Sequence, residues 1–252
     1  MIPYITTPLG NIPTFTVFVV IGVLSMILAV HLLLSKSEDR DSEEVFIFPK
    51  LVLCGGVAFF FAGLFDSAAK IKEFGGFRIA GISFYGGLIG FAACFYILLK
   101  CTKASTQYAI NEWYDLLTLP LIAFHFFGRL GCFFGGCCYG KNTDGMRGVL
   151  FPDNADHGIF HNGIKCYPTQ LFEAAALIVI FIVCCFVAKR FEAYLLLYSI
   201  SRFVIEYFRG DERGYLIELL SPAQCISVVV FFTVTVRVMY KRMNRNSRRV
   251  SP

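Results

Sequence analysis

Seven apolar runs, each close to the length that a helix needs to cross a bilayer, dominate the chain. They cover residues 13–34, 47–65, 81–99, 114–130, 169–188, 192–208 and 222–240. About 20 apolar residues span the roughly 30 Å hydrocarbon layer as a helix, whereas membrane β-strands show alternation instead. Hydrophobic residues make up 56% of the sequence and charged residues 16%. The sequence therefore predicts an all-α integral membrane bundle of seven transmembrane helices, folded as a single membrane domain over residues 1–252.

The distribution of basic residues predicts the orientation of this bundle. Lys and Arg accumulate in short cytoplasmic loops. With the N-terminus outside, 12 of them fall in cytoplasmic segments and 8 in external ones, and much of the excess lies in the tail 241–252. We expect that tail to be cytoplasmic and to meet anionic lipid headgroups rather than nucleic acid. The longest connection, residues 131–167, then forms an external loop or cap.

Charged side chains interrupt two of the apolar runs. Arg129 lies in the fourth run. Arg202 and Glu206 lie in the sixth run and Arg209 directly follows it, at spacings that place the three near one helical face. A buried guanidinium costs roughly 2.5 to 3.5 kcal/mol at membrane depth even on the lenient insertion scale. One reading is a structural ion pair between Arg202 and Glu206. A single Glu hardly neutralises two or three guanidiniums, so the pattern favours an external anion, for which a phospholipid phosphate is the obvious candidate.

Other polar residues stand near these charges in the sequence. His125 precedes Arg129 by four residues and either acts as a general base or is a satisfied structural histidine. Glu173 sits one turn inside the fifth run and needs a partner, for which an arginine of a neighbouring helix is the simplest candidate. Tyr85 opens the third run beside Gly86 and Gly87. A tyrosine in such a position usually anchors a helix at the interface.

Four cysteines fall in or beside the predicted external loop. They are Cys132, Cys137, Cys138 and Cys166. A disulfide among them is favoured over a zinc site because the Cys132-x4-Cys137-Cys138 spacing fits poorly with paired zinc-ligand motifs. We expect no cofactor and no metal.

Several fragments, in this order, resemble the bacterial prolipoprotein diacylglyceryl transferase family. The resemblance covers most of the chain and rests on residues 83–87, 128–131, 139–140, 167–173 and 202–209, with Gln224 and Ser227. It implies seven helices with an external N-terminus in the bacterial cytoplasmic (inner) membrane. It also implies that phosphatidylglycerol is the donor, that the acceptor is the lipobox cysteine of a prolipoprotein, and that glycerol phosphate is released.

The resemblance also assigns roles to residues. Arg129 and Arg202 match the arginines that hold the lipid head group, and Glu206 and Gly140 match further motif positions. The candidate catalytic residues are His125, Tyr85 and Glu206; the phosphate-binding ones are Arg129, Arg202 and Arg209; the supporting ones are Gly86, Gly87, Gly140, Gln170, Glu173, Cys132 and Cys137.

Four positions depart from the family pattern, and one of them is Phe15, which aligns with a tyrosine of the family's first helix. Tyr85 stands where the family has histidine, and Cys132 and Cys137 stand where it has asparagine and glutamate. A phenol with a pKa near 10 is a poor base at neutral pH, so His125 is the candidate replacement. The expected activity is diacylglyceryl transfer to a protein thiol. The alternatives are the same donor with another acceptor or transferred group, such as phosphoglycerol, and a lipid-binding or translocating protein without catalysis.

Overall fold

The computed structural model describes residues 3–8, 10–35, 40–69, 83–102, 106, 108–146, 148–151, 163–210 and 220–250. These residues are mostly helical. The helices are α1 Thr14–Leu34, α2 Arg40–Ala69, α3 Phe84–Cys101, α4 Ile110–Gly135, α5 Thr169–Phe186, α6 Arg190–Glu206 and α7 Pro222–Val250. The strands are β1 Tyr4–Thr7, β2 Gly10–Pro13, β3 Val149–Leu150 and β4 Lys165–Cys166.

Six of these helices are long and apolar enough to cross a membrane. The remaining predicted span, residues 192–208, corresponds to α6, which has only 17 residues and includes four charged ones. The described chain therefore has the composition of a multi-pass helical membrane protein, with six such spans where the sequence predicted seven. The orientation, the external position of residues 131–167 and the cytoplasmic tail stay predictions, as does the single domain.

Two small sheets add to the predicted all-α fold. Strands β1 and β2 pair antiparallel with Tyr4 opposite Pro13, immediately before α1 begins. Strands β3 and β4 pair Val149 with Cys166 inside the predicted cap. Neither sheet follows from apolar periodicity, because these strands are only two to four residues long.

The described residues divide into two compact units. The first contains the described parts of Met1–Val23, Leu121–Asp211 and Ala223–Pro252, and the second those of Leu24–Pro120 and Glu212–Pro222. The interior of the second unit is apolar and aromatic. Its core includes Leu34, Ile47, Cys54, Phe95 and Trp113.

Glycines permit close helix packing in both units. In the second unit, a Cβ atom built on Gly86 of α3 would lie 2.5 Å from the Phe65 Cβ atom of α2. In the first unit, one built on Gly131 of α4 would lie 3.1 Å from the Phe18 Cβ atom of α1. Membrane helices associate through small residues because backbones can then approach closely. Gly86 and Gly131 are thus used for helix contacts.

Candidate functional site

A buried carboxylate lies at the centre of the polar interior of the first unit. Glu173, in the second turn of α5, is 1% exposed. Its Oε1 atom lies 2.8 Å from Nη2 of Arg129 on α4. The same oxygen accepts a hydrogen bond of 2.6 Å from the Tyr198 hydroxyl on α6. The structure thus gives Glu173 the arginine partner that a carboxylate in an apolar run requires.

A second carboxylate follows on α6. Nη2 of Arg202 lies 2.5 Å from Oε2 of Glu206, and Nε of Arg209 lies 3.8 Å from the same oxygen. Nη1 of Arg202 is buried and has no hydrogen-bond partner in the described part of the chain. Its distance of 3.9 Å from Oε2 of Glu173 is an ion-pair contact but too long for a hydrogen bond.

We call these five side chains, Arg129, Glu173, Arg202, Glu206 and Arg209, the charged cluster. All five are at most 9% exposed. Three guanidiniums therefore stand against two carboxylates among the side chains of the cluster. Buried ions are stable only when they are paired and hydrogen-bonded. The excess positive charge of the cluster, and the Nη1 atom of Arg202 that makes no hydrogen bond within the described residues, suit an anion with oxygen acceptors.

His125 joins the cluster to a pair of tyrosines. Its Nε2 atom accepts a hydrogen bond of 3.4 Å from Nε of Arg129 and lies 3.6 Å from Oε1 of Glu173. Its Nδ1 atom lies 3.2 Å from the Tyr194 hydroxyl. Because Nε2 accepts, this arrangement assigns the ring proton to Nδ1. Both ring nitrogens therefore face protein groups, which fixes the orientation of the imidazole.

Tyr194 and Tyr198 belong to the site although the sequence analysis did not select them. Both are fully buried, and their rings stack with centroids 5.6 Å apart. A spacing signal was available, since residues 194, 198, 202 and 206 follow each other at intervals of four and share one helical face. A tyrosine in an apolar run is usually a core residue, so this spacing alone does not identify a functional site.

The loop after α4 is held against the end of α6 by a backbone bridge. Gly140 forms an antiparallel bridge with Arg209, and Lys141 donates to the Phe208 carbonyl at 2.8 Å. The Gly140 amide donates to the Tyr167 carbonyl at 2.8 Å. A Cβ atom at Gly140 would lie 2.6 Å from both the Phe208 carbonyl oxygen and the Tyr167 Cβ atom. Only glycine fits there, and the bridge fixes the backbone that carries Arg209.

The first residues of α5 hold the same loop a few residues before Gly140. The Gln170 amide, 1% exposed, donates to the Cys137 carbonyl at 2.6 Å, and the Thr169 hydroxyl donates to the Cys138 carbonyl at 2.8 Å. The sulfur atoms of Cys132, Cys137 and Cys138 all lie within 4.8 Å of one another. Hydrogen bonding with Cys132 and Cys138, together with burial, raises the pKa of the Cys137 thiol.

The cysteines of the chain are all free thiols, including the four for which a disulfide was favoured. The fourth of these, Cys166, donates from its sulfur to Oδ1 of Asn142 at 3.4 Å. The thiol cluster, as we call Cys132, Cys137 and Cys138, therefore forms within a single stretch of seven residues.

Not every predicted site residue lies in this unit. Tyr85, Gly86 and Gly87 belong to the first turn of α3 in the second unit, where the Ser83 side chain caps the helix by accepting from the Gly86 amide at 3.5 Å. Tyr85 is 5% exposed. Residues 70–82, which precede this helix, as well as His157 and His161, lie outside the described residues.

A cavity of about 520 Å³ opens in the first unit beside the backbone bridge. Its lining is largely apolar and consists of Thr143, Gly145, Met146, Tyr167, Phe172, Ile205 and Phe208. The carbonyls of Tyr167 and Phe208 accept hydrogen bonds from the Gly140 and Lys141 amides of that bridge. The cavity thus adjoins the chain segment that ends in Arg209.

Helices of this length and a buried, net positive cluster define a multi-pass membrane protein that is suited to an anionic ligand. The family model described as "Prolipoprotein diacylglyceryl transferase" matches residues 4–240. The chain belongs to that family.

Similar proteins carry the corresponding name. The chain is 28% identical over 242 residues to a phosphatidylglycerol–prolipoprotein diacylglyceryl transferase of Clostridium tetani, which covers 88% of this chain and 90% of that protein. It is 32% identical over 176 residues to transferase 2 of Clostridium perfringens and 30% identical over 187 residues to the Campylobacter jejuni enzyme. Those two alignments cover 66% and 68% of this chain, and each spans 62% of the relative's length.

Proposed function

We propose that this protein is a membrane transferase that takes phosphatidylglycerol and transfers its diacylglyceryl group to the lipobox cysteine of a prolipoprotein. The observation that carries the proposal is the meeting of Arg129 and Arg202, from two helices, at the single carboxylate of Glu173. Family membership over residues 4–240 supplies the substrate class. Similar proteins bear names that state this donor and this acceptor.

The charged cluster suits the phosphate of the donor. In the reaction, a sulfur–carbon bond forms at the glycerol carbon, the carbon–oxygen bond to phosphate breaks, and its electron pair leaves with glycerol phosphate. Guanidiniums fixed in a site of low dielectric stabilise that developing charge without reorganisation. We assign the phosphate to Arg129, Arg202 and Arg209, and the unpartnered Nη1 atom of Arg202 supports this assignment.

The two carboxylates have different proposed tasks. Glu173 holds Arg129 and faces Arg202, so we propose that it keeps the two guanidiniums close enough to share one phosphate. Glu206 contacts Arg202 of α6 and Arg209 just after the end of that helix, and is a candidate catalytic residue. Gln170 and Gly140 support both by fixing the loop on α5 and α6.

His125 is the candidate base for the acceptor thiol, because thiolate is the reactive form. Its contacts with Arg129, Glu173 and Tyr194 also support a positioning role for the guanidinium. Tyr85 is a second candidate catalytic residue, and Gly86 and Gly87 shape the start of its helix. Tyr85→Phe should lower turnover if the hydroxyl takes part.

For location, we propose the bacterial cytoplasmic (inner) membrane, with the N-terminus outside, the C-terminus cytoplasmic and residues 131–167 on the external side. The six membrane-length helices support the membrane location, and the bias of basic residues supports the orientation, which requires α6 to cross as a seventh span. Cysteine substitution followed by labelling with an impermeant thiol reagent tests it. An added cysteine near residue 144 should react in intact cells, and one near residue 244 should not.

The activity is tested with the purified full chain, labelled phosphatidylglycerol and a lipobox peptide. We expect release of glycerol phosphate together with transfer of label to the peptide cysteine. Arg129→Ala and Arg202→Ala should each weaken donor binding and lower turnover about 100-fold or more, in the range measured for the loss of one transition-state donor. Arg237→Ala, on exposed α7, is the matched control and should retain both. Full activity of the two cluster variants would contradict the proposal.

A second candidate keeps the donor but changes the acceptor or the transferred group. Cys132 and Cys137 in the loop favour it, since they replace family residues near the presumed acceptor. Release of glycerol phosphate with an unmodified peptide would identify another acceptor. Binding of phosphatidylglycerol without its consumption would identify a lipid-binding or translocating protein.

A further inference from the structure

The thiol cluster has the dimensions of a metal site. Zinc–thiolate bonds are about 2.3 Å long, so sulfurs at the corners of a tetrahedron around zinc lie about 3.8 Å apart. Here the three sulfurs lie within 4.8 Å of one another. Side-chain rotations that move the sulfur atoms by about 1 Å would therefore bring all three to coordination distance.

The backbone of this segment is built around the convergence of the three sulfurs. Cys132 belongs to the last turn of α4, and Gly136 turns the chain with φ of 74°. Cys138 has φ of 64°, a conformation that a residue with a side chain rarely adopts. The carbonyls of Cys137 and Cys138 are held by Gln170 and Thr169 of α5. Strain of this kind persists where the surroundings enforce it and is concentrated at functional sites.

The electrostatic surroundings suit a metal thiolate. Three thiolates and one divalent cation carry a net charge of −1. The guanidinium of Arg129, one helical turn before Cys132, interacts electrostatically with Cys132 and Cys138. A neighbouring positive charge stabilises such an anionic complex, whereas three thiolates without a cation would repel one another.

We propose that Cys132, Cys137 and Cys138 bind one zinc ion as thiolates and leave its fourth coordination position open. Structural zinc sites use four protein ligands, whereas three protein ligands and one exchangeable position are the pattern of catalytic sites. No other group of three or more His, Cys, Asp or Glu side chains in the described chain comes together in this way. Thiolate ligands select zinc over the hard cations magnesium and calcium.

The open position suits the acceptor thiol, a step that rests on the proposed function. A thiol that coordinates zinc loses its proton, for which His125 remains the candidate acceptor, and becomes the nucleophilic thiolate. Its sulfur then forms the bond to the glycerol carbon while the carbon–oxygen bond to phosphate breaks, and zinc undergoes no redox change. Zinc bound by the thiol cluster would thus activate the acceptor sulfur next to Arg129, which holds the phosphate in our proposal.

Metal binding is tested on the full chain purified in detergent with a non-thiol reductant. After equilibration with zinc and removal of free ions, we expect about one zinc per chain. Cobalt in place of zinc should give thiolate-to-metal charge-transfer absorption. Cys132→Ser, Cys137→Ser and Cys138→Ser should each weaken zinc affinity at least about tenfold, since even the loss of a group that orients a ligand has that effect. Cys101→Ser and Cys185→Ser, both exposed and outside the thiol cluster, are the matched controls.

A measurement on the unaltered protein guards against variants that fail to fold. Zinc should protect the three thiols from alkylation, as mapped by mass spectrometry, while Cys101 and Cys185 react as before. The metal site is overturned if reduced protein takes up no zinc above the triple Cys→Ser variant. It is also overturned if two of the three sulfurs form a disulfide that zinc does not prevent.

The acceptor step has its own readout. A cysteine-containing lipobox peptide added to the cobalt-loaded chain should increase the charge-transfer absorption, and the same peptide with serine should not. An unchanged spectrum would overturn the open acceptor position while leaving the metal site intact. Zinc binding by a chain that releases no glycerol phosphate would instead contradict the proposed function, so the two failures are distinguishable.

Discussion

Two acidic residues of the first unit, Glu173 and Glu192, hold basic partners in different surroundings. Glu192 in α6 pairs with Lys241 at 2.6 Å and with Arg237 at 3.7 Å on α7. Those two cations are 46% and 54% exposed, whereas Glu173 and its partners Arg129 and Arg202 are at most 10% exposed. The distances are similar, but the burial within the protein is not.

The difference shows which ion pairs need an explanation beyond packing. An exposed pair contributes about 0 to 1 kcal/mol and is easily replaced. A buried pair costs several kcal/mol in desolvation for each ion, and well-packed apolar residues often serve stability as well. The charged cluster is therefore a poor means of holding helices together and a suitable means of holding an anion.

Removing the central carboxylate should have the largest effect on stability. Glu173→Gln keeps the shape of the side chain but leaves Arg129 without a charged partner, so we expect a loss of about 3 to 5 kcal/mol in unfolding free energy. Denaturant unfolding in detergent micelles measures it. Glu192→Gln is the matched control and should lose less than about 1 kcal/mol. Equal losses of unfolding free energy would remove the distinction between the Glu173 and Glu192 ion pairs.

Removing the histidine of the charged cluster should affect rate more than binding. His125→Ala should lower turnover about 100-fold, equivalent to about 2.7 kcal/mol, and leave phosphatidylglycerol affinity within about threefold of the original. Comparing initial rates with equilibrium lipid binding tests this separation. His31→Ala, at a half-exposed histidine paired with Glu44, is the control and should change neither quantity. An unchanged rate for His125→Ala would contradict its role.

Disturbing the backbone bridge should have a somewhat smaller effect. Gly140→Ala places a methyl group 2.6 Å from the Phe208 carbonyl oxygen and should lower the unfolding free energy by about 2 kcal/mol through overpacking. It should also weaken donor binding, because Arg209 follows that carbonyl. At Gly128, a Cβ atom would meet nothing within 4 Å. Thermal unfolding of Gly128→Ala should therefore match or exceed that of the original chain, and equal behaviour of both variants would disprove the role of the bridge.

The smallest effect belongs to the exposed pair. Lys241→Gln should lower the unfolding free energy by about 0.5 kcal/mol, and raising the salt concentration should remove the difference because exposed charges are screened. The measurement is the unfolding midpoint at low and high salt. A loss that persists at high salt would mean that the Glu192 pair is stronger than its exposure indicates.

The helix positions follow from the sequence to within a few residues, because apolar runs of membrane length have few other solutions. The largest differences are at the end of α7, which continues to Val250 rather than to residue 240, and at the start of α2, which begins at Arg40 rather than at residue 47. Asp41 and Glu43 lie in its first turn, where acidic residues favour the helix dipole. Hydropathy detects the apolar part of this helix but not the polar turn before it.

The charged cluster was only partly predictable. Spacing along one helix identified Arg202, Glu206 and Arg209 as neighbours. The central position of Glu173, treated as a supporting residue, depends on how α4, α5 and α6 pack, and no periodicity encodes that contact. The thiol cluster illustrates the same limit, since the turn at Gly136 and Cys138 brings together sulfurs whose spacing argued against a metal site.

The most direct test of the account is a double-mutant cycle on phosphatidylglycerol affinity with Arg129→Gln, Arg202→Gln and the combined variant. If both guanidiniums bind one phosphate, the combined loss should be smaller than the sum of the single losses by about 1 kcal/mol or more. Losses that add independently, or single variants that bind the lipid as tightly as the original chain, would contradict the shared phosphate.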